Sequence, residues 1–257
     1  MSDAIDVLWL TASPSLKSFD RKLLRYLSQN VEIPQPRRIA EWEYIQTQDE
    51  ACSLDVAVDL LHDYLKSQDR PIHLAGHSTS GLIGLIYARR YSQKVRSLTL
   101  LSVGAQVTTN WQAHYYVLRS LFPCSRKKIL AQIARSMLGN TAYHKIQDLV
   151  KALEIDLNCS PSPHSLFKLV NIPPSGVEMP LMICGSRTDT IVDPQSIAEW
   201  EACLKDGDRL WLCPQGRHLF HHLYPNLVGK QILSFWQSLT PSYQYFTKSL
   251  RSICHPL

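Results

Sequence analysis

A serine flanked by small residues stands where an apolar run gives way to a helical pattern. Gly76-His77-Ser78-Thr79-Ser80-Gly81 closes the run that starts Pro71-Ile72-His73-Leu74-Ala75. A strand-to-helix turn of this kind forces its central residue into strained backbone geometry and lifts the hydroxyl above the sheet edge. The residues two before and two after it, Gly76 and Ser80, are expected to approach closely, and both are small. The helix that begins there aims its first free amides, including that of Thr79, at the same point, which suits a developing oxyanion. A serine hydroxyl is a poor nucleophile near neutral pH. It needs a base beside it, and the base needs a carboxylate to fix its tautomer. Two later loops carry such groups. Gly185 and Asp189 follow the apolar run 181–184, with Asp193 beyond; His218 follows the run 209–213 and Gly216, with His221 and His222 beyond. Asp193 directly precedes Pro194 and also reads as a helix N-cap. His221 and His222 stand closer to the last helix and read as surface or packing residues.

The elements that must position these side chains alternate along the chain. Residues 5–12, 37–45, 71–76 and 97–103 read as strands. Between them, Ser18 is expected to cap a helix carrying Phe19, Leu23, Leu24 and Leu27 on one face. Leu54, Val58, Leu61 and Leu65 share a helical stripe, and residues 81–91 read as a largely buried helix. Such alternation implies a parallel sheet with helices on both faces. From about 105 to 179 the pattern is helical without a strand. Trp111, Tyr115, Leu118 and Phe122 fall at helical spacing, as do Ile129, Ile133 and Met137. Strands return at 181–184 and 209–213 around a helix near 194–204, and a final helix is expected over roughly 221–238. Residues 241–257 form a tail with no assigned role.

Residues 71–104 resemble the nucleophile strand, helix and following strand of the α/β-hydrolase superfamily. The stretch runs from Pro71 to Ser78, through Ala88-Arg89-Arg90-Tyr91, to Val95-Arg96-Ser97-Leu98-Thr99-Leu100-Leu101. The resemblance implies an α/β fold with a mostly parallel sheet. It implies a core of residues 1–104 and 180–240 and a helical cap, 105–179, inserted after the strand that follows the nucleophile helix. It makes Ser78 the nucleophile and sets the chain order serine, acid, histidine. Asp189 then matches the family's strand-Gly-x-x-x-Asp loop, and His218 stands seven residues before Pro225 as the family's base does. The family's other oxyanion amide comes from the loop after the first core strand, here Thr11-Ala12-Ser13-Pro14-Ser15. Ala12 or Ser13 would supply it, although the family's usual His-Gly is absent, and the family's N-terminal hairpin is expected to be missing. Trp111, Tyr115, Tyr116, Phe122, Tyr143 and Phe167 suit an apolar acyl pocket, but their helical spacing favours packing within the cap.

Bulk properties narrow the choices. The 257 residues are 45% hydrophobic, enough for a sizeable core and too many for disorder. The net charge of +5 is spread over short clusters such as Arg126-Lys127-Lys128, without the dense footprint of a nucleic-acid binder. Seven cysteines with no C-x-x-C pair form neither a disulfide framework nor a zinc ribbon, and fit reduced thiols in the cytoplasm. No apolar run approaches the ~20 residues of a membrane helix. No cofactor or metal is implied: Gly81 and Gly84 lie inside a helix and lack the phosphate-binding pattern. A serine at 78 rather than an aspartate excludes a dehalogenase. The expected activity is hydrolysis of a small, apolar carboxylic ester or thioester through an acyl-serine. Acyl transfer, C–C bond hydrolysis and non-catalytic binding are the alternatives.

Overall fold

The computed structural model describes residues 5–30, 39–47, 53–106, 110–139, 142–162, 164 and 172–239. Among them six strands, β1 (Val7–Thr11), β2 (Ile39–Glu43), β3 (Ile72–His77), β4 (Val95–Leu101), β5 (Leu181–Ser186) and β6 (Arg209–Cys213), pair in parallel in the order β2-β1-β3-β4-β5-β6. Helices α1 (Arg21–Asn30), α2 (Leu54–Leu65) and α3 (Thr79–Arg90) separate the early strands. Helices α4 (Trp111–Leu121), α5 (Arg126–Leu138) and α6 (Tyr143–Cys159) lie between β4 and β5. Helices α7 (Pro194–Ala198), α8 (Phe220–Leu223) and α9 (Pro225–Ser238) complete the set.

The inner strands β1, β3, β4 and β5 read as near-continuous apolar runs because both faces of the sheet are covered there, whereas the edge strand β2 alternates, with Glu41 and Glu43 exposed. Leu8, Leu10, Leu74, Leu98, Leu100 and Ile183 face one layer with Val58 and Leu61 of α2 and Ile83 of α3. Val7, Trp9, Ala75, Leu101 and Met182 face the other, with Leu23 and Leu27 of α1 and Ile232 and Trp236 of α9. Each fully buried leucine of this kind stabilises the fold by about 1.5–3 kcal/mol. Strand order reverses direction between β1 and β3, which opens a crevice at their carboxyl ends, the usual ligand position in open α/β sheets. Ala12 and Ser13 leave β1 there, and Ser78 leaves β3.

The stripe Leu54, Val58, Leu61 and Leu65 is buried as its spacing requires, and Ser53 caps α2 by accepting from the amide of Asp55. Three helices differ from expectation. Ser18 does not cap α1: Pro14–Phe19 is a 3-10 helix with proline in its first turn, and α1 starts only at Arg21. The helix expected near 194–204 divides into α7 and a 3-10 turn, Glu199–Cys203. The last helix breaks at Tyr224, where Pro225 has no amide to continue α8 and instead starts α9.

No strand occurs among the described residues of 105–179, and Trp111, Ile129, Ile133, Met137 and Leu149 join the same apolar core as the sheet. Trp111 and Tyr115 are buried, whereas Phe122 is 51% exposed and packs neither a pocket nor a core. Phe167 and the side chain of Tyr143 lie outside the described residues. Among the described residues no helix is long and apolar enough to cross a membrane, and the five described cysteines are unpaired.

Candidate functional site

Ser78 sits between β3 and α3 with φ 52° and ψ −125°, in the left-handed region that β-carbon sterics disfavour. The turn is held because its amide donates to the Leu101 carbonyl at 2.8 Å and its carbonyl accepts from Leu82 at 3.0 Å. The close approach that the motif requires is present between Gly76 and Ser80, and it extends one residue further, to Gly81. A β-carbon on Gly76 would stand 2.8 Å from the Gly81 amide nitrogen and 2.9 Å from the Ser80 carbonyl carbon. Gly81 is as constrained as Gly76, since a β-carbon on it would stand 2.8 Å from the Gly76 carbonyl oxygen. Gly76→Ala is expected to cost about 3 kcal/mol or more, because the obstructing atoms are backbone. At this chain length that is a fall in Tm of roughly 6–12 °C. A thermal melt showing an unchanged Tm would contradict the tight turn.

The imidazole of His218 is fully buried, and its Nδ1 lies 3.0 Å from Asp189 Oδ2. Asp189 is fixed from its other side: Oδ1 accepts from the amides of Ile191 at 2.8 Å and Val192 at 3.2 Å. A carboxylate so oriented favours the tautomer with the proton on Nδ1, in which Nε2 is an acceptor. His218 Nε2 and Ser78 Oγ are both buried and both lack a protein hydrogen-bond partner among the described residues. They line the same cavity, and unliganded sites often hold such pairs beyond bonding distance. Asp193 is elsewhere engaged, capping α7 through the amide of Ser196 at 2.8 Å.

The remaining expected donors separate. Thr79 is the first residue of α3, so its amide has no intrahelical acceptor. Ala12's amide is already engaged, donating to Ser80 Oγ at 2.8 Å. Ser13 lines the cavity with Ser78 and His218.

Several residues at the site had no signal in the sequence. Ser102, at the end of β4 with φ 49°, places its hydroxyl 3.2 Å from Asp189 Oδ2 and 3.3 Å from the His218 carbonyl. Arg217, with φ 50°, is the third non-glycine residue with positive φ among those described, so the strained positions collect around the acid, base and serine. His77 Nε2 meets the His218 carbonyl at 3.0 Å. Burial, then the neighbouring His221 and His218, keep the His77 imidazole well below the usual histidine range.

Of the surface and packing readings offered for His221, the structure gives packing: the side chain is fully buried. Its Nε2 meets Asp20 Oδ1 at 3.0 Å, while Trp9 Nε1 donates to Asp20 Oδ2 at 3.0 Å. Burial raises the Asp20 carboxyl to about 6 and lowers His221 to about 3, so near neutral pH a carboxylate is braced by a neutral imidazole and an indole. Asp20, His77 and His221 bring potential metal-ligand atoms within 4.8 Å of one another. Sequence spacing hides this group because its members come from three separate elements. His222 is half-buried, packing its ring edge on Phe19 and bonding that residue's carbonyl at 3.2 Å.

No family model matches the chain. The uncharacterized protein alr2406 of Nostoc sp. (strain PCC 7120) is 49% identical over 237 residues, covering 92% of either chain. The uncharacterized protein sll0249 of Synechocystis sp. (strain PCC 6803) is 42% identical over 233 residues, covering 91% of this chain and 90% of its own. Naproxen esterase (carboxylesterase NP) of Bacillus subtilis superposes with a TM-score of 0.66 at 13% identity, over 92% of this chain and 85% of that one. A meta-cleavage product hydrolase of Pseudomonas fluorescens gives 0.68 at 13% identity, over 93% and 92%. Likeness at such low identity is likeness of fold, and it agrees with the parallel sheet and the strained serine turn. The chain belongs to one family with the two cyanobacterial proteins, and its fold is that of the α/β-hydrolases.

Proposed function

We propose that the protein is a serine hydrolase that cleaves a small carboxylic ester or thioester through an acyl-Ser78 intermediate. The observation that carries this reading is the Asp189–His218 pair, whose free Nε2 shares a buried cavity with the unpartnered hydroxyl of a strained serine. His218 Nε2 takes the Ser78 proton as Oγ attacks the substrate carbonyl. The amides of Thr79 and Ser13 receive the oxyanion, Ala12's amide being held by Ser80. The imidazolium then protonates the departing alcohol or thiol, leaving an acyl-serine. Water repeats the sequence, with His218 again as base, and frees the acid. The naming of a structural neighbour as a carboxylesterase supports this choice.

The size of the cavity supports a small substrate. Its free volume is about 20 Å³, room for a water or two, far below the several hundred cubic ångströms of drug-sized sites. Trp111, Met137 and Leu149, from the helices we assign as a cap over the 1–104 and 180–240 core, form its apolar side. Acetyl and propionyl p-nitrophenyl esters are therefore expected to turn over at least about tenfold faster than the octanoyl ester, a discrimination of roughly 1–3 kcal/mol. Met137→Ala is expected to shift the preference toward longer acyl chains; equal rates along the series would contradict the cavity's role.

The test of the mechanism is an acid-quenched reaction with p-nitrophenyl acetate. The expected result is a burst of one p-nitrophenolate per chain and a protein heavier by one acetyl group at Ser78. Turnover without any acylated protein would overturn the reading.

A further inference from the structure

The loop that must supply the second oxyanion amide contains no glycine, and a chain of hydrogen bonds sets its place instead. On the core side, Ser80 Oγ takes the amide of Ala12 at 2.8 Å. On the other side stands Asp156, a residue of α6 from the opposite end of the sequence segment that closes the cavity. Ser13 Oγ donates to its Oδ2 at 3.3 Å, Ser15 Oγ to its Oδ1 at 3.3 Å, and Ser160 Oγ to Oδ1 at 2.5 Å. Asp156 has no solvent exposure, Ser13 is 9% exposed and Ser160 is 4% exposed. The carboxylate continues the apolar face of its own helix: Leu149, Leu153 and Asp156 fall at i, i+4 and i+7, and the two leucines are fully buried. An apolar residue would continue that face without the cost of burying a charge. A carboxylate placed there, with hydroxyl donors from two residues of one loop, is accounted for by what it does to the loop.

We propose that Asp156 is a positioning residue for the oxyanion site, tying the Ser13–Ser15 loop to helix α6 so that the Ser13 amide stays beside Ser78. The inference rests on the serine-hydrolase reading above. It makes the helical segment between β4 and β5 a part of the catalytic geometry and not only a wall of the pocket: when α6 is seated on the 3-10 turn Pro14–Phe19, the loop is held from both sides. Burial raises the Asp156 carboxyl to about 6, against the lowering effect of its serine donors, so the group is ionised, and accepts all three hydroxyls, in the pH range where His218 must be neutral.

The experiment measures kcat, KM and the fluorophosphonate labelling rate for the full-length wild type, Asp156→Ala, Asp156→Asn, the double variant Ser13→Ala with Ser15→Ala, and the combination of that double with Asp156→Ala. A displaced rather than deleted oxyanion donor is expected to lower kcat about 10- to 100-fold. KM should stay within about threefold, because the ground-state carbonyl needs the donor far less than the tetrahedral intermediate does. The Ser13/Ser15 double variant should show a similar loss, and combining it with Asp156→Ala should add little, since all three side chains act through one contact. Ser160→Ala, which removes a partner of Asp156 outside the loop, should leave kcat within about threefold. Asp156→Asn keeps the shape of the side chain and should retain more activity than alanine. Should Asp156→Ala fail to fold, the Ser13/Ser15 double variant carries the test from the loop side. Wild-type kcat in the Asp156 or Ser13/Ser15 variants, or losses that simply multiply, would overturn the tie while leaving the hydrolase reading intact. An unlabelled, inactive wild type would instead remove the reading on which it rests.

Discussion

Ser78→Ala is expected to lower kcat for p-nitrophenyl acetate by about 10⁴- to 10⁶-fold, the range seen when a serine nucleophile is removed from a working triad. The protein should fold as before. Ser78 Oγ makes no hydrogen bond with any described residue, so its removal costs no partner. The bonds that hold the turn run through the backbone of Ser78 and survive the change. What remains is the left-handed backbone at φ 52°, which serine and alanine both find unfavourable by a similar 1–3 kcal/mol. The change thus separates chemistry from folding: activity should vanish while Tm and the circular dichroism spectrum hold. Residual turnover above a few per cent of wild type would place the nucleophile elsewhere.

Asp189→Asn should cost about 10⁴-fold in kcat with little effect on stability. The direction follows from the donors around the carboxylate. Two backbone amides, those of Ile191 and Val192, converge on Oδ1. In the asparagine variant the carbonyl oxygen must stay with them, because an amide nitrogen there would confront two N–H groups. The NH₂ group is then turned toward His218 Nδ1 and obliges that nitrogen to accept. The imidazole proton moves to Nε2, the atom that has to receive the Ser78 proton. The imidazole stays in place but in the wrong tautomer. Rates should recover partly at high pH, where hydroxide can substitute for the base. A variant with near-wild-type kcat at pH 7 would show that Asp189 does not set the tautomer. Loss of kcat together with a collapse of Tm would assign it a structural part instead.

The parallel sheet was legible because its inner strands are buried on both faces, which leaves short apolar runs ended by glycine or serine. Ser78 was legible for a related reason: a polar residue between glycines, at the end of such a run and the start of a helix, has few structural uses. Asp189 and His218 came through the resemblance in loop layout, helped by the Pro194 that marks Asp193 as a helix cap and by the nearness of His221 to the last helix. The rest of the site depends on contacts between distant segments. Ser102 looks like the polar end of a strand until the sheet sets it beside Asp189. His221 reads only as a surface or packing histidine until the fold sets it against Asp20, 201 residues away in sequence. The close contact expected at Ser80 also involves Gly81, because the first turn of α3 brings both residues against Gly76. Asp156 lies 143 residues from Ser13, so no local pattern could join them.

All of this turns on one hydroxyl acting as a nucleophile activated by His218. The direct measurement is peptide mapping after exposure of the folded chain to a fluorophosphonate near pH 7.5. The account predicts a single phosphonyl adduct, on Ser78, that is abolished by His218→Ala. A folded chain that stays unmodified, or one modified at another residue, would contradict it.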